Sequence, residues 1–282
     1  MTEAPVRETA HAKINLALHV RERMDDGYHR LETLFAFAED GDVLTAQAAS
    51  DISLTISGQF ADGLPSDERN LVVTAANALR VATGTAAGAA LHLEKKLPVA
   101  SGIGGGSADA AAVLRLLVRL WKLDGCEQQF AAIAKSLGAD VPACLLSETC
   151  FGEGRGERLR PLSAAPLRDR PLLLINPGVA LETGRVFADW DGRDRGGLVL
   201  SEPLEIDAGW RNDLEAPAIG LVPEIGDVLA ELRGRSGVEF SAMSGSGATC
   251  FGLFERIEDR DAAAEKLSQT NPDWWLMMSS LR

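Results

Sequence analysis

One run constrains this chain more than any other: Pro98-Val99-Ala100-Ser101-Gly102-Ile103-Gly104-Gly105-Gly106-Ser107-Ala108-Asp109-Ala110. Four of the five residues 102–106 are glycine, and glycine loses more backbone freedom on folding than any other residue. A chain keeps such a run where its backbone must approach something closely or adopt positive φ. Before it, Ala90-Leu91-His92-Leu93-Glu94 alternates like a strand. After it, Ala110, Val113, Leu114, Leu117, Val118 and Trp121 recur at helical spacing, with Ser107 as the predicted N-cap. A strand, a glycine loop and a helix N-terminus make an anion site, because N–H groups and the positive end of the helix dipole converge there. Residues 98–108 therefore read as a phosphate cradle. No Gly-Lys-Ser/Thr closes the run, which excludes a Walker A loop. The dinucleotide spacing G-x-G-x-x-G would need glycine where Ser107 stands.

Upstream, Ala12-Lys13-Ile14-Asn15-Leu16-Ala17-Leu18-His19-Val20 alternates as a half-buried strand, so Lys13 and Asn15 share a face. Asp26-Gly27 marks a turn, followed by Tyr28, the only tyrosine, and His29. An aromatic with a hydrogen-bonding neighbour can be surface decoration or a platform for a planar ligand. Downstream, Gly138-Ala139-Asp140-Val141-Pro142 sets a carboxylate among small and apolar neighbours, where it is costly unless paired.

The remaining segments predict mixed structure. Strands are expected at 42–48 and 52–58, paired with each other, and at 172–175, 250–254 and 274–278. Helices are expected over 70–83, 127–137, 223–233 and 261–267, with another beginning at Thr183. Residues 149–156 are glycine-rich and read as an irregular loop close to a boundary between two lobes and able to touch ligand, and 189–209 as a surface segment without periodicity. Ser244-Gly245-Ser246-Gly247 forms a second tight glycine loop. Strands and helices without a regular βαβ rhythm give an α+β class.

Composition bounds the function. The 282 residues, 46% hydrophobic, suffice for one large or two closely packed domains. A net charge of −13 argues against a nucleic-acid partner, which needs clustered Lys and Arg. Cys126, Cys144, Cys150 and Cys250 form no C-x-x-C or zinc spacing and read as small buried hydrophobes of a reducing compartment. Residues 1–10 hold no apolar signal core, and no window approaches the roughly 18 apolar residues of a membrane span. The expectation is a cytoplasmic protein with no membrane partner; no segment signals an oligomeric state.

The motif Pro-x-x-x-Gly-x-Gly-Gly-Gly-Ser-Ala resembles the nucleotide loop of the GHMP kinases. Ala-Lys-Ile-Asn-Leu with Asp-Gly-Tyr-His, Gly-Ala-Asp-Val-Pro, Asn-Asp-Leu-Glu at 212–215 and the 244–247 loop are similar to further segments of that family. The resemblance runs from residue 12 to about 254. It implies a two-lobed fold whose amino-terminal lobe, residues 1–155, is like ribosomal protein S5 domain 2, with residues 156–282 as the carboxy-terminal lobe. It implies ATP as phosphoryl donor, accompanied by Mg²⁺, held by Pro98, Val99, Ala100, Ser101, Gly102, Ile103, Gly104, Gly105, Gly106, Ser107 and Ala108. Asp140 would be the general base and also touch substrate, with Lys13 as its positively charged partner. Asn15, Tyr28 and His29 would bind substrate, the latter two holding a cytosine ring. That pattern points to the branch acting on a cytidine diphosphate sugar alcohol, phosphorylating the 2-hydroxyl of a diphosphocytidyl methylerythritol on the non-mevalonate route to isoprenoids. Another small-molecule kinase of the family and a non-catalytic ATP sensor stand as the alternatives.

Overall fold

The computed structural model describes residues 4–125 and 127–282. Cys126, grouped above with the buried cysteines, lies outside them. Two long strands, β1 (Val6–Arg23) and β2 (His29–Ala49), pair on either side of the Asp26-Gly27 turn, where Gly27 takes φ +84°. Then come β3 (Ile52–Ser57), α1 (Leu71–Thr83), β4 (Gly88–Glu94), α2 (Gly105–Trp121), α3 (Glu127–Leu137) and α4 (Val141–Leu146). They are followed by β5 (Cys150–Gly154), β6 (Arg158–Pro161), β7 (Pro171–Asn176), α5 (Thr183–Ala188), α6 (Glu215–Leu221) and α7 (Glu224–Arg233). The chain ends with β8 (Val238–Met243), β9 (Cys250–Phe254), α8 (Ile257–Thr270) and β10 (Trp275–Ser280). The class is α+β. Two compact units divide the chain: Met1–Ala12, Asp40–Val99 and Gly104–Ser147 make the first, and Lys13–Glu39, Ala100–Ile103 and Glu148–Arg282 the second.

In the first unit β3, α1 and β4 form a crossover that leaves β3 parallel to β4, Ile52 opposite Ala89. The other edge of β4 pairs antiparallel with Val43–Ala49 of β2. Residues 42–48 and 52–58 are thus not partners as expected, because β4 lies between them. Gly88 makes room for this. A Cβ there would stand 2.4 Å from the Asp51 nitrogen, and Ala89 N–H donates to the Asp51 carbonyl at 3.1 Å. α1 begins as expected at Asn70, whose side chain accepts from Val72 N–H at 3.0 Å, and ends at Gly84 with φ +66°. Short α4, with a proline in its first turn, was not legible as a helix.

In the second unit residues 150–154 of the expected 149–156 loop form strand β5, paired with Leu31–Phe35 of β2 and with β6, and the turn is confined to 155–157. Glycine at 152 admits a close approach rather than an irregular backbone: a Cβ would lie 2.8 Å from the Phe35 ring. The other sheet has the order β10-β7-β9-β8, antiparallel throughout. Interior β9 is buried at every residue. α7 and α8 pack on this sheet, and Leu173, Ile175, Ile225, Val228, Leu229, Leu232, Phe254 and Leu267 share one core. Each such side chain contributes about 1.5–3 kcal/mol relative to exposure. Residues 189–209 hold no helix or strand, as expected.

Candidate active site

The glycine run differs from expectation at one point. α2 is capped by Gly104, at φ +64°, and Ser107 lies inside its first turn. Gly105 and Gly106 take helical conformation, so the helix starts three residues before Ala108, whose N–H donates to the Gly104 carbonyl at 2.8 Å. The N–H groups of Gly105, Gly106 and Ser107 therefore fall among those with no partner inside the helix.

In the second unit the preceding residues are laced by their carbonyls. Ser101 O accepts from Thr249 N–H, Gly102 O from the Ser244 hydroxyl and Ile103 O from Lys13 N–H, each at 3.0 Å. In a trans peptide the carbonyl of one residue and the N–H of the next point oppositely. Three carbonyls so engaged turn the amides of Gly102, Ile103 and Gly104 the other way. Gly102, at φ +79°, is required: a Cβ would stand 2.4 Å from the Ser244 carbonyl oxygen.

The same unit buries the polar face of β1. Lys13 and Asn15 are each 3% exposed. Lys13 Nζ donates to Asn15 Oδ1 at 2.9 Å and lies 4.8 Å from the Phe35 ring centre. Asn15 Nδ2 donates to Thr33 Oγ1 at 2.8 Å, Thr33 donates on to the Ala17 carbonyl, and Asn15 N–H donates to Ser244 Oγ at 3.1 Å. The 244–249 turn is braced by Asn212, whose Nδ2 donates to the Met243 and Gly245 carbonyls at 2.7 Å each. The Asn-Asp-Leu-Glu segment thus acts here as a brace. Asp213 continues it by accepting from Val20 N–H at 2.9 Å.

Tyr28 and His29 face different surroundings. Tyr28 is 57% exposed, and the Arg155 guanidinium carbon lies 3.8 Å from its ring centre. His29 is buried against Phe187, centroids 5.1 Å apart, and meets Trp190 edge-on at 5.6 Å. His29 Nε2 and Trp190 Nε1 are buried without a hydrogen-bond partner among the described residues. Burial, with help from Arg23, lowers the His29 pKa, so the ring is neutral at neutral pH. The sequence offers Phe187 and Trp190 only as apolar residues near the helix beginning at Thr183, and Arg155 only as a member of the glycine-rich 149–156 segment.

The first unit holds Gly104–Ala108 and Asp140. Asp140 precedes α4 at its amino end, partly buried. A cluster missed in the sequence lies under the root of the glycine run. Lys95 Nζ pairs with Asp42 and, at 2.8 Å, with Asp109. Asp42 Oδ1 also accepts from the N–H groups of Lys96, at 2.6 Å, and Leu97, at 2.8 Å. A Cβ on Gly105 would meet Lys95 Nζ at 3.1 Å. Burial pushes the Asp109 carboxyl up to about 7 against the pull of Lys95. Against burial, the two carboxylates hold the Lys95 pKa above its ordinary value. The signal was three charges, Asp42 just after Glu39 and Asp40, Lys95 between Glu94 and Lys96, and Asp109 at the end of the glycine run, each readable alone as a solvated residue.

Among the described residues no group of His, Cys, Asp or Glu forms a metal cage, and no helix is long and apolar enough to cross a membrane. Cys144, Cys150 and Cys250 are buried free thiols, as expected.

Comparison with known proteins agrees with this geometry. The model of the GHMP kinases N terminal domain matches residues 70–148 and that of the GHMP kinases C terminal matches 203–273. The chain is 52% identical over 277 residues to a 4-diphosphocytidyl-2-C-methyl-D-erythritol kinase of Rhizorhabdus wittichii, covering 98% of this chain and 94% of the relative. It is 50% identical to the enzyme of that name from Novosphingobium aromaticivorans, covering 98% and 93%. A crystal structure of 4-(cytidine 5'-diphospho)-2C-methyl-D-erythritol kinase superposes with a TM-score of 0.78 at 33% identity, covering 98% of both chains. The chain belongs to the GHMP kinases and, within them, to the family of 4-diphosphocytidyl-2-C-methyl-D-erythritol kinases. It is an ATP-dependent kinase of a small molecule.

Proposed function

We propose that this chain transfers the γ-phosphoryl group of ATP to the 2-hydroxyl of 4-diphosphocytidyl-2-C-methyl-D-erythritol. The bond from the acceptor oxygen to phosphorus forms, the bond from phosphorus to the ADP oxygen breaks, and the hydroxyl proton goes to Asp140. The observation that carries this reading is the glycine run. Three consecutive carbonyls are tied down, and the amides of residues 102–104 turn away from those ties, just ahead of an α-helix N-terminus. Such donors hold phosphate oxygens. Residues 98–108 are the nucleotide loop. Asp140 is the general base, and Lys13, oriented by Asn15, is its positively charged partner. Positioning and charge stabilisation carry most of phosphoryl transfer, so no covalent enzyme intermediate is needed.

Tyr28 stacks on the cytosine, and His29 hydrogen-bonds its edge; the buried His29 Nε2, without a partner among the described residues, supports this. Mg²⁺ accompanies ATP. Because the described residues build no carboxylate cage, the fit is to a cation carried mainly by the phosphates, which it neutralises when bound. Along the sequence the amino-terminal lobe is residues 1–155 and the carboxy-terminal lobe 156–282, a division supported by the two family segments falling on either side, while by their contacts 13–39, 100–103 and 148–155 group with the second unit. Buried free thiols support a cytoplasmic setting.

The test is a panel of acceptors with Mg-ATP: the diphosphocytidyl methylerythritol, mevalonate, homoserine and galactose. ADP release with the first alone is the expected result. Release with another in its place overturns the substrate assignment.

A further inference from the structure

Arg155, read from sequence as part of a loop, lies in the turn between β5 and β6. Its turn is fixed by its neighbours. Gly154 and Gly156 take φ of +77° and +104°, and Arg155 N–H donates to Glu157 Oε2 at 2.6 Å. The side chain is thereby aimed at the Asp26–Tyr28 turn. There the central carbon of the guanidinium lies 3.8 Å from the Tyr28 ring centre, while its Nη2 bonds Asp26 Oδ2. The other oxygen of the same carboxylate, Oδ1, accepts the Tyr28 backbone N–H at 3.1 Å. The Asp26 carboxylate thus ties the backbone of the tyrosine and the cation over its ring into one closed unit.

We propose that Arg155 is a positioning residue for pyrimidine recognition. Its guanidinium backs one face of Tyr28, so that the ring presents its other face to the cytosine base of the substrate. This rests on the reading of Tyr28 as the cytosine platform. The chemistry favours arginine. A planar, delocalised cation stacks on an aromatic face and forks to a carboxylate at once, which an ammonium group cannot do. A ring left more than half exposed would otherwise sample several rotamers, and ordering it in advance removes that cost from binding.

The test is steady-state kinetics of the full chain with Mg-ATP and 4-diphosphocytidyl-2-C-methyl-D-erythritol. The variants are Arg155→Ala, Arg155→Lys, Tyr28→Ala and the Arg155→Ala/Tyr28→Ala double. Arg155→Ala should raise the KM for the cytidine substrate about threefold to fivefold, the size of an exposed cation–π contact, with kcat and the KM for ATP unchanged. Arg155→Lys should not restore the wild-type KM. In the Tyr28→Ala background, removing Arg155 should have no further effect. Multiplying effects in the double variant, full rescue by lysine, or an unchanged or lowered KM in Arg155→Ala each overturn the proposal while leaving the platform standing. If Tyr28→Ala alone leaves the KM unchanged, the platform reading falls and the Arg155 role with it.

Discussion

Asp109 reaches Lys95 through Oδ2 at 2.8 Å and leaves its Oδ1 buried with no partner among the described residues. The carboxyl is only half satisfied, and burial raises its pKa to about 7. A raised carboxyl pKa means that the folded protein holds a proton the unfolded chain has lost. The stabilisation is complete below the ordinary value of 3.8 and disappears as pH climbs through about 7. Asp109→Asn cannot lose that proton. Its melting temperature, relative to wild type, should therefore rise between pH 4.5 and 7.5 and level off above. A difference independent of pH would contradict the account of this cluster.

Gly102 is the glycine of the run whose replacement the structure forbids outright. Alanine would adopt φ +79° and press its Cβ to 2.4 Å from the Ser244 carbonyl oxygen and 2.7 Å from that of Gly247. Gly102→Ala should destabilise by about 1–3 kcal/mol and raise the KM for ATP about tenfold or more. Gly106→Ala is the contrast. Its Cβ would meet only the Leu71 side chain, at 3.7 Å, and a helical alanine stabilises relative to glycine by about 1 kcal/mol. Thermal melts of the two variants separate these outcomes.

The chain of bonds from Lys13 through Asn15 to Thr33 and the Ala17 carbonyl holds the ammonium in one place. Asn15→Ala removes the acceptor without touching the charge. Because small displacements of a catalytic group are costly, kcat should fall about 10- to 100-fold while the KM for ATP stays within a few fold. An unchanged kcat would remove Asn15 from the positioning of Lys13.

How far sequence reading reached follows from these examples. The glycine run, the Lys13–Asn15 face, the Asp-Gly turn before Tyr28 and the amphipathic α1 and α7 were legible because each is a local pattern. What failed was non-local. β3 was assigned to the wrong neighbour because its pairing depends on a strand that arrives thirty residues later. β5 read as a loop because only the Phe35 ring explains its glycine at 152. Asp42, Lys95 and Asp109 signalled nothing singly, since a buried ion cluster exists only once three segments meet. Trp190 was hidden for the same reason.

His29 offers a test of the base pocket. With its pKa lowered by burial, the ring is neutral at neutral and alkaline pH, so it should add no pH dependence to substrate binding there. His29→Phe keeps an aromatic against Phe187 and Trp190 but removes the ring nitrogens. The KM for the cytidine substrate should rise about tenfold, equivalent to one hydrogen bond of ~1.4 kcal/mol, with the KM for ATP unaltered. Equal changes in both constants would mean a general loss of structure instead.

The central claim is that Asp140 takes the proton from the acceptor hydroxyl during transfer from ATP. The direct measurement is ADP release by wild type and Asp140→Asn with Mg-ATP, in the presence and absence of 4-diphosphocytidyl-2-C-methyl-D-erythritol, with ATP affinity measured in parallel. The account predicts release that requires the substrate, a rate at least about 10²- to 10⁴-fold lower in the variant, and ATP affinity within a few fold of wild type. Substrate-dependent release at the wild-type rate from Asp140→Asn would contradict it.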